Sequence, residues 1–385
     1  MLWNHYVLRR GDEVHDLWDH FFVNRQVNLL YIAGRGFDVR VKTVLEQFLQ
    51  NFTSSGQPIN KAELLLVGVE GYELNDELKK QTQANTEEMT NLFTPIGNVS
   101  HVNITTSSSD EDDLSSSNAL RLGVQAVLSN ITNQTDIILE ISSMPRVVYL
   151  ALLTSILNKL IPDRNAKDAL KGCGVNFQVL VAEDAKLDAR IKSEDPNNDL
   201  VLIPGFSSAL HVESVQDWPL VWFPILGENR VNQFEKVMDS VIPEFAEICP
   251  LLPHPSSDPR RGDRLLVEYR RPLFGARQTP TINILHAHES HPFEAYRQLL
   301  MAMHHFRESL SILGGCRLVV TPLASKLITL GAGLACFEMK PYRMEENFGV
   351  AIPLAEPRRY VASVKDLRES KPEITALVLT GEAYC

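Results

Sequence analysis

The chain has 385 residues, 44% of them hydrophobic and 22% charged, which excludes a disordered or collagen-like chain and leaves room for two or three globular domains. Its 37 basic and 48 acidic residues give a net charge of −11, which argues against broad, sequence-independent nucleic-acid binding, because that needs a basic face to displace counterions.

Residues 1–26 read as an N-terminal extension. They mix Arg9, Arg10, Asp12, Glu13 and Asp16 into their apolar residues, so the uninterrupted apolar core of a signal peptide is not found there. From residue 27 onward, short β-branched runs alternate with longer amphipathic ones, the signature of βα units on a mostly parallel sheet. Residues 28–33 (NLLYIA) predict a strand, followed by the turn Gly34-Arg35-Gly36-Phe37-Asp38 and a helix with Val41, Val44, Leu45, Phe48 and Leu49 at helical spacing. Residues 61–69 predict a second strand, 75–92 a polar helix, 101–105 a third strand, 117–128 a helix and 136–141 a fourth strand. The turn Ser142-Ser143-Met144-Pro145-Arg146 then leads into an apolar helix. Its apolar stretch, residues 147–157, is broken by Thr154 and Ser155 and falls short of the roughly 20 residues that span a bilayer. Residues 176–181 close this half.

Residues 220–226 (LVWFPIL) open a second half, with Gly227-Glu228-Asn229-Arg230 as the turn and a helix carrying Val231, Phe234, Val237 and Met238 on one face. Further strands are expected at 281–286, 317–321, 349–354 and 374–380, with helices at 293–312 and after Ser325-Lys326. The glycine turn recurs from Gly34 to Gly227, and the strand-four turn from Arg146 to Lys326, at nearly the same interval, close to half the chain. An interval that long predicts an internal duplication of a domain rather than a solenoid repeat. The expected architecture is α/β: two Rossmann-like three-layer modules with mostly parallel sheets, residues 27–182 and 219–385, joined by a polar linker at 183–218. Residues 107–117 (SSSDEDDLSSS) read as a solvated acidic loop.

In a parallel sheet a ligand sits at the carboxyl ends of the strands, where the strand order switches direction. Gly34, Arg35, Gly36 and Asp38 fall there in the first half, with glycines that let backbone N–H groups approach an anion or simply form a tight turn. They complete neither a Gly-x-Gly-x-x-Gly fingerprint nor a Walker A loop, so no cofactor is specified. Ser142, Ser143 and Arg146, matched by Ser325 and Lys326 as Gly34 is by Gly227, place hydroxyls and cations at two equivalent mouths; the serines serve either an anionic ligand or helix capping. His286, His288 and Glu289 cluster at a strand end, as acid/base groups, metal ligands or plain polar contacts. The basic island from Arg260 to Arg271 reads as an internal ion-pair network with Asp258, Asp263 and Glu268. Five scattered cysteines without a Cys-x-x-Cys pair point to a reducing, cytoplasmic setting.

The duplicated strand order with its Ser-Ser-x-x-Arg and Ser-Lys turns resembles, at the level of architecture, the fused two-lobed nucleotide-sensing domains of prokaryotic defence systems. The resemblance implies a sensor that binds a nucleotide or other phosphorylated small molecule in a cleft between two halves and signals to a protein partner, without a membrane. The alternative is an enzyme on a nucleotide-like substrate, with His286, His288 and Glu289 supplying its chemistry. A methyltransferase with an adenosyl cofactor, Glu70 holding its ribose, is a weaker third reading.

Overall fold

A computed structural model describes residues 1–23, 25–54, 59–106, 113–184, 187, 191–196, 200–342 and 346–385. In chain order the first elements are β1 (Val7–Arg10), α1 (Glu13–Phe22), β2 (Val27–Arg35), α2 (Arg40–Ser54), β3 (Ile59–Glu70), α3 (Asp76–Phe93), β4 (Asn98–Thr105), α4 (Asp113–Leu128), β5 (Asp136–Glu140), α5 (Arg146–Leu160) and β6 (Asn176–Glu183). There follow β7 (Lys192–Pro196), β8 (Val201–Ser207), α6 (Ser208–His211), β9 (Leu220–Ile225), α7 (Val231–Val241), β10 (Glu247–Ile248), β11 (Leu251–Pro253), α8 (Arg261–Glu268) and β12 (Leu285–Ala287). The last are α9 (Pro292–Ser309), β13 (Cys316–Pro322), α10 (Lys326–Met339), β14 (Phe348–Leu354), β15 (Pro357–Val361), α11 (Val364–Arg368) and β16 (Glu373–Thr380).

The chain forms two compact units. One comprises Leu2–Glu111, Asn118–Glu194 and Arg358–Cys385; the other comprises Met1, Asp112–Ser117 and Asp195–Pro357. The first unit holds the sheet β1-β16-β6-β5-β2-β3-β4, parallel from β6 to β4, with β16 antiparallel to β6 and β1 antiparallel to β16. The second holds β12-β11-β9-β13-β14-β8, with β10 also on β9 and β8 antiparallel to β14. Both sheets therefore run third, second, first, fourth, fifth strand, with an antiparallel strand beyond the fifth. The landmarks paired from the sequence occupy similar places: Gly34 is the penultimate residue of β2 and Gly227 lies two residues past β9, and Arg146 and Lys326 begin the helices after the fourth strands.

In the first unit Tyr31, Ala33, Leu64, Leu66, Ile138, Leu180 and Ala182 face a core shared with α1, α2 and α3. The opposite face carries the equally buried Leu30, Ile32, Leu65, Val67, Ile137 and Leu139. There α4 packs so closely on β4 that a Cβ on Gly123 would lie 2.9 Å from Ile104. Burial on both faces explains why β2 and β5 read as continuous apolar runs rather than alternating ones.

Four features differ from the sequence expectations. The strand at 374–380 lies in the first unit's sheet rather than closing the second half, covering the edge of β6 and burying Ile374, Ala376 and Val378 in the first core; strand pattern alone does not say which sheet edge a strand joins. Within residues 1–26, β1 and α1 are part of that fold too, since α1 buries Val14, Leu17, Trp18, Phe21 and Phe22 at helical spacing. Within 183–218, β8 pairs with β14, and over 281–286 a single helical turn, Thr281–Asn283, precedes the three-residue β12. Of the acidic run at 107–117, residues 107–112 lie outside the described residues.

The central-strand glycine of the second sheet is a strict requirement. A Cβ on Gly227 would come within 2.2 Å of the Leu323 carbonyl oxygen, and a backbone atom has little room to yield. Gly227→Ala is expected to cost about 1–3 kcal/mol as overpacking, read as a lowered urea midpoint with an unchanged m-value; an unaltered midpoint would refute the close approach.

Candidate functional site

At the first switch point β2 pairs with β3 on one side and β5 on the other. The glycine turn after β2 and the serine turn after β5 are in direct contact. A Cβ on Gly34 would lie 2.5 Å from Ser143 Oγ and 2.8 Å from Met144 Cγ, and one on Gly36 would lie 3.2 Å from Ser143 Cβ. Ser143 Oγ donates to the Gly34 carbonyl at 2.8 Å. These glycines thus serve to let two turns meet, and the Gly36 carbonyl accepts from Asn85 Nδ2 at 3.0 Å.

Ser142 is fully buried and holds other backbone. Its Oγ accepts from the Ala182 N–H at 2.8 Å, and its own N–H donates to Glu140 Oε1 at 2.8 Å. Neither serine caps α5, whose N-cap position is Pro145 and carries no side-chain cap. Asp38 faces inward as well. It pairs with Arg40 at 2.6 Å, accepts from the Arg40 N–H at 3.0 Å, and both residues are at least 95% buried. Arg40 Nη1 also donates to the Ala182 carbonyl at 3.3 Å, so Ala182 at the end of β6 is held by Ser142 and by Arg40.

Beside the Asp38–Arg40 pair, Arg35 and Arg146 stand at this rim, both partly exposed, the latter opening the 15-residue α5. A helix N-terminus adds partial positive charge beside Arg146. Arg35 reaches the other way, across β3, where its Nη2 donates to Asn103 Oδ1 at 3.2 Å. Asn103 Nδ2 in turn donates to Glu70 Oε1 at 2.9 Å.

The second switch point has the same backbone plan and different electrostatics. Gly227 lies against Leu323 and Ala324, and its carbonyl accepts from Tyr269 Oη at 2.8 Å. Arg261 bridges two carboxylates, Glu228 at 2.5 Å and Glu289 at 2.6 Å. Glu289 also accepts from the Ser257 N–H at 2.6 Å, and Ser325 Oγ donates to the Glu289 carbonyl at 3.4 Å. Ser325 takes the N-cap position of α10 without a side-chain cap, and Lys326 follows it. Burial acts to raise the pKa of Glu289, but the Ser257 N–H and the Arg261 guanidinium outweigh it and hold the carboxyl below its ordinary range. A carboxylate held so is a poor proton donor near neutral pH.

The histidines are dispersed. His288 Nδ1 accepts from the Ser290 N–H at 3.2 Å, while its own N–H donates to Glu294 Oε2 at 3.1 Å. His286 stands exposed on β12 with its ring centroid 5.7 Å from that of His254. Desolvation, then the neighbouring His254, lowers its pKa. Among the described residues no three His, Cys, Asp or Glu side chains converge on a point that could hold a metal ion. Within the basic island Arg264 pairs with Asp258 at 2.6 Å, as the alternating signs suggest, whereas Arg261 reaches outside it to Glu228 and Glu289. A pocket lined by Asn28, Asn60, Lys61, Glu63, Asn133 and Gln134 lies at the opposite, amino-terminal end of the first sheet's strands.

Sequence reasoning reached both turns but not their contacts. The Arg40 partnership with Asp38 has a local signal, opposite charges two residues apart around a buried turn, whereas Arg35 over Gly68 depends on strand register.

No family model matches the chain, and no curated protein matches it. Among solved structures it is similar to a functionally unknown protein of Pseudomonas aeruginosa PAO1, at 8% identity over 89% of this chain and 95% of that one, with a TM-score of 0.22. It is also similar to a putative universal stress protein of Pseudomonas aeruginosa UCBPP-PA14, at 9% identity over the same shares of the two chains, with a TM-score of 0.22.

Two outcomes follow from these ion pairs. Arg40→Ala leaves the Asp38 carboxylate buried alone and is expected to cost about 3–5 kcal/mol; the Asp38→Ala/Arg40→Ala double variant should recover part of that loss in chemical denaturation. Glu228 is likewise held low, with burial raising its pKa and Arg261 more than reversing the effect. Lowered folded pKa values give stability that is complete above the ordinary carboxylate pKa of about 4.3 and fades as pH falls through the folded values. Tm measured from pH 7 down to pH 3 should therefore fall less steeply in Arg261→Met than in the wild type, and identical slopes would contradict the pairing.

Proposed function

We propose that the chain is a binding module for a nucleotide or other phosphorylated small molecule, and that its anion site is the carboxyl rim of the first sheet. The observation that carries this reading is the contact of the Gly34–Gly36 turn with Ser143, which sets Arg35 and Arg146 at the rim of one switch point while Arg40 neutralises Asp38 beneath them. Guanidinium groups match phosphate geometry with paired donors. The matching rim of the second sheet supports an anion less well, because Arg261 there is shared between Glu228 and Glu289. Lys326, which opens α10, stands at that rim as well.

A sensing role, with ligand occupancy read by a protein partner, belongs to the same proposal. The defence-associated setting rests on the architectural resemblance alone. Among the described residues no helix is long and apolar enough to cross a membrane, and all five cysteines are free thiols; both agree with the cytoplasmic placement proposed here.

Thermal unfolding against inorganic phosphate and mono-, di- and cyclic nucleotides tests the reading, since a ligand that binds only the folded state raises Tm by mass action. At a ligand concentration 100 times Kd the stabilisation is about 2.7 kcal/mol. The shift should vanish in Arg146→Ala and persist in Lys326→Ala. The reverse pattern would move the site to the second sheet, and no shift with any phosphorylated compound would overturn the proposal.

A further inference from the structure

At the ends of β2, β3 and β4 in the first unit, polar and aromatic side chains gather around Arg35, one of the two anion-site arginines. In the strand register Arg35 pairs with Gly68 and Gly68 with Asn103, one row across three strands. A Cβ at Gly68 would lie 2.7 Å from Arg35 Nη2 and 2.5 Å from Asn103 Oδ1. The bare glycine is the seat on which the Arg35 guanidinium lies across the sheet. Glu70 follows on the same face of β3, two residues or about 7 Å along the strand. It is exposed, and it accepts from Asn103 Nδ2 at 2.9 Å and from Thr105 Oγ1 at 3.5 Å.

The aromatic rings stand next to this row. The chain at β15 returns alongside the turn after β3, where Glu73 forms a parallel bridge with Arg359 and its N–H donates to the Arg358 carbonyl at 2.8 Å. That backbone pairing sets Tyr72 beside Tyr360, ring centroids 5.2 Å apart, and Phe37 lies 6.2 Å from Tyr360. Phe37 is anchored beneath, packing on the small core of Leu78, Leu187, Val364 and Leu367. Tyr72 and Tyr360 are partly exposed, and Arg358 and Arg359 are exposed on the same returning strand.

A flat apolar edge, an exposed carboxylate with acceptor capacity and a seated guanidinium are the three elements that a ribonucleotide needs. Aromatic faces stack any base, a carboxylate accepts from the ribose hydroxyls, and arginine pairs with phosphate. Resting on the anion-binding reading above, we infer that the ligand is a ribonucleotide, its base held against Tyr72 and Tyr360, its ribose hydroxyls on Glu70 and its phosphate on Arg35.

Isothermal titration of the full chain with AMP, GMP, CMP, UMP, 2′-deoxy-AMP, ribose 5-phosphate and inorganic phosphate tests this. The four ribonucleotides should bind tighter than ribose 5-phosphate by about tenfold or more, the usual worth of one base stacked on an aromatic ring. Tyr360→Leu should abolish that margin and leave phosphate affinity unchanged, while Tyr360→Phe keeps it. Glu70→Gln should remove the preference for AMP over 2′-deoxy-AMP. Phosphate and ribose 5-phosphate binding as tightly as the nucleotides, or a margin that survives in Tyr360→Leu, would overturn the ribonucleotide inference and leave the anion site standing. Binding of none of the probes would overturn both.

Discussion

At the switch point of each sheet a glycine lies at or just past the end of the central strand, and the turn after the fourth strand occupies the space where that glycine's side chain would be. Gly34 meets Ser143 and Met144, and Gly227 meets Leu323 and Ala324. At Gly227 the neighbouring atoms are backbone and leave little tolerance for a methyl group, whereas at Gly34 the nearest are the Ser143 and Met144 side chains. The crevice itself is filled by chain, so the side chains available to a ligand stand on its rim.

In the first unit the layer below the rim is made rigid by polar groups that satisfy one another. Ser142 and Arg40 both hold Ala182, Asp38 compensates Arg40, and Glu140 accepts from the Ser142 N–H. A buried pair of this kind contributes little net stability over an apolar substitute, yet losing one member is costly. Its consequence for function is electrostatic, since it removes the acidic charge of Asp38 from the rim. The equivalent layer of the second unit brings acidic charge to the rim instead, because Glu228 and Glu289 converge on Arg261. The same strand order thus supports two unlike sites, as expected when function resides in side chains placed on a shared scaffold.

Much of this was legible in the residues. The apolar runs at β2, β5 and β9 announce strands buried on both faces, and the polar turns after them lie at the carboxyl edges as the βα rhythm requires. The serines show where such reading stops. As residue types they serve capping and ligand contact equally well, and in the structure their hydroxyls do not cap but bind the backbone of Ala182, Gly34 and Glu289. His286, His288 and Glu289 look like one cluster because they are neighbours in the chain. In space His288 turns to Ser290, Glu289 to Arg261, and His286 to His254.

By itself the sequence determined the α/β class, the two mostly parallel sheets, their common strand rhythm and the edges at which polar turns occur, because hydrophobic periodicity and turn residues are local properties of the chain. Only the tertiary structure decided that β16 returns to the first sheet, that Arg35 lies over Gly68 on Asn103, and that Tyr360 stands beside Tyr72. Those relations join residues far apart in the chain through register and edge pairing. No local pattern encodes which strand edge is left open to receive another strand, or which glycine across the sheet will lie beneath an arginine.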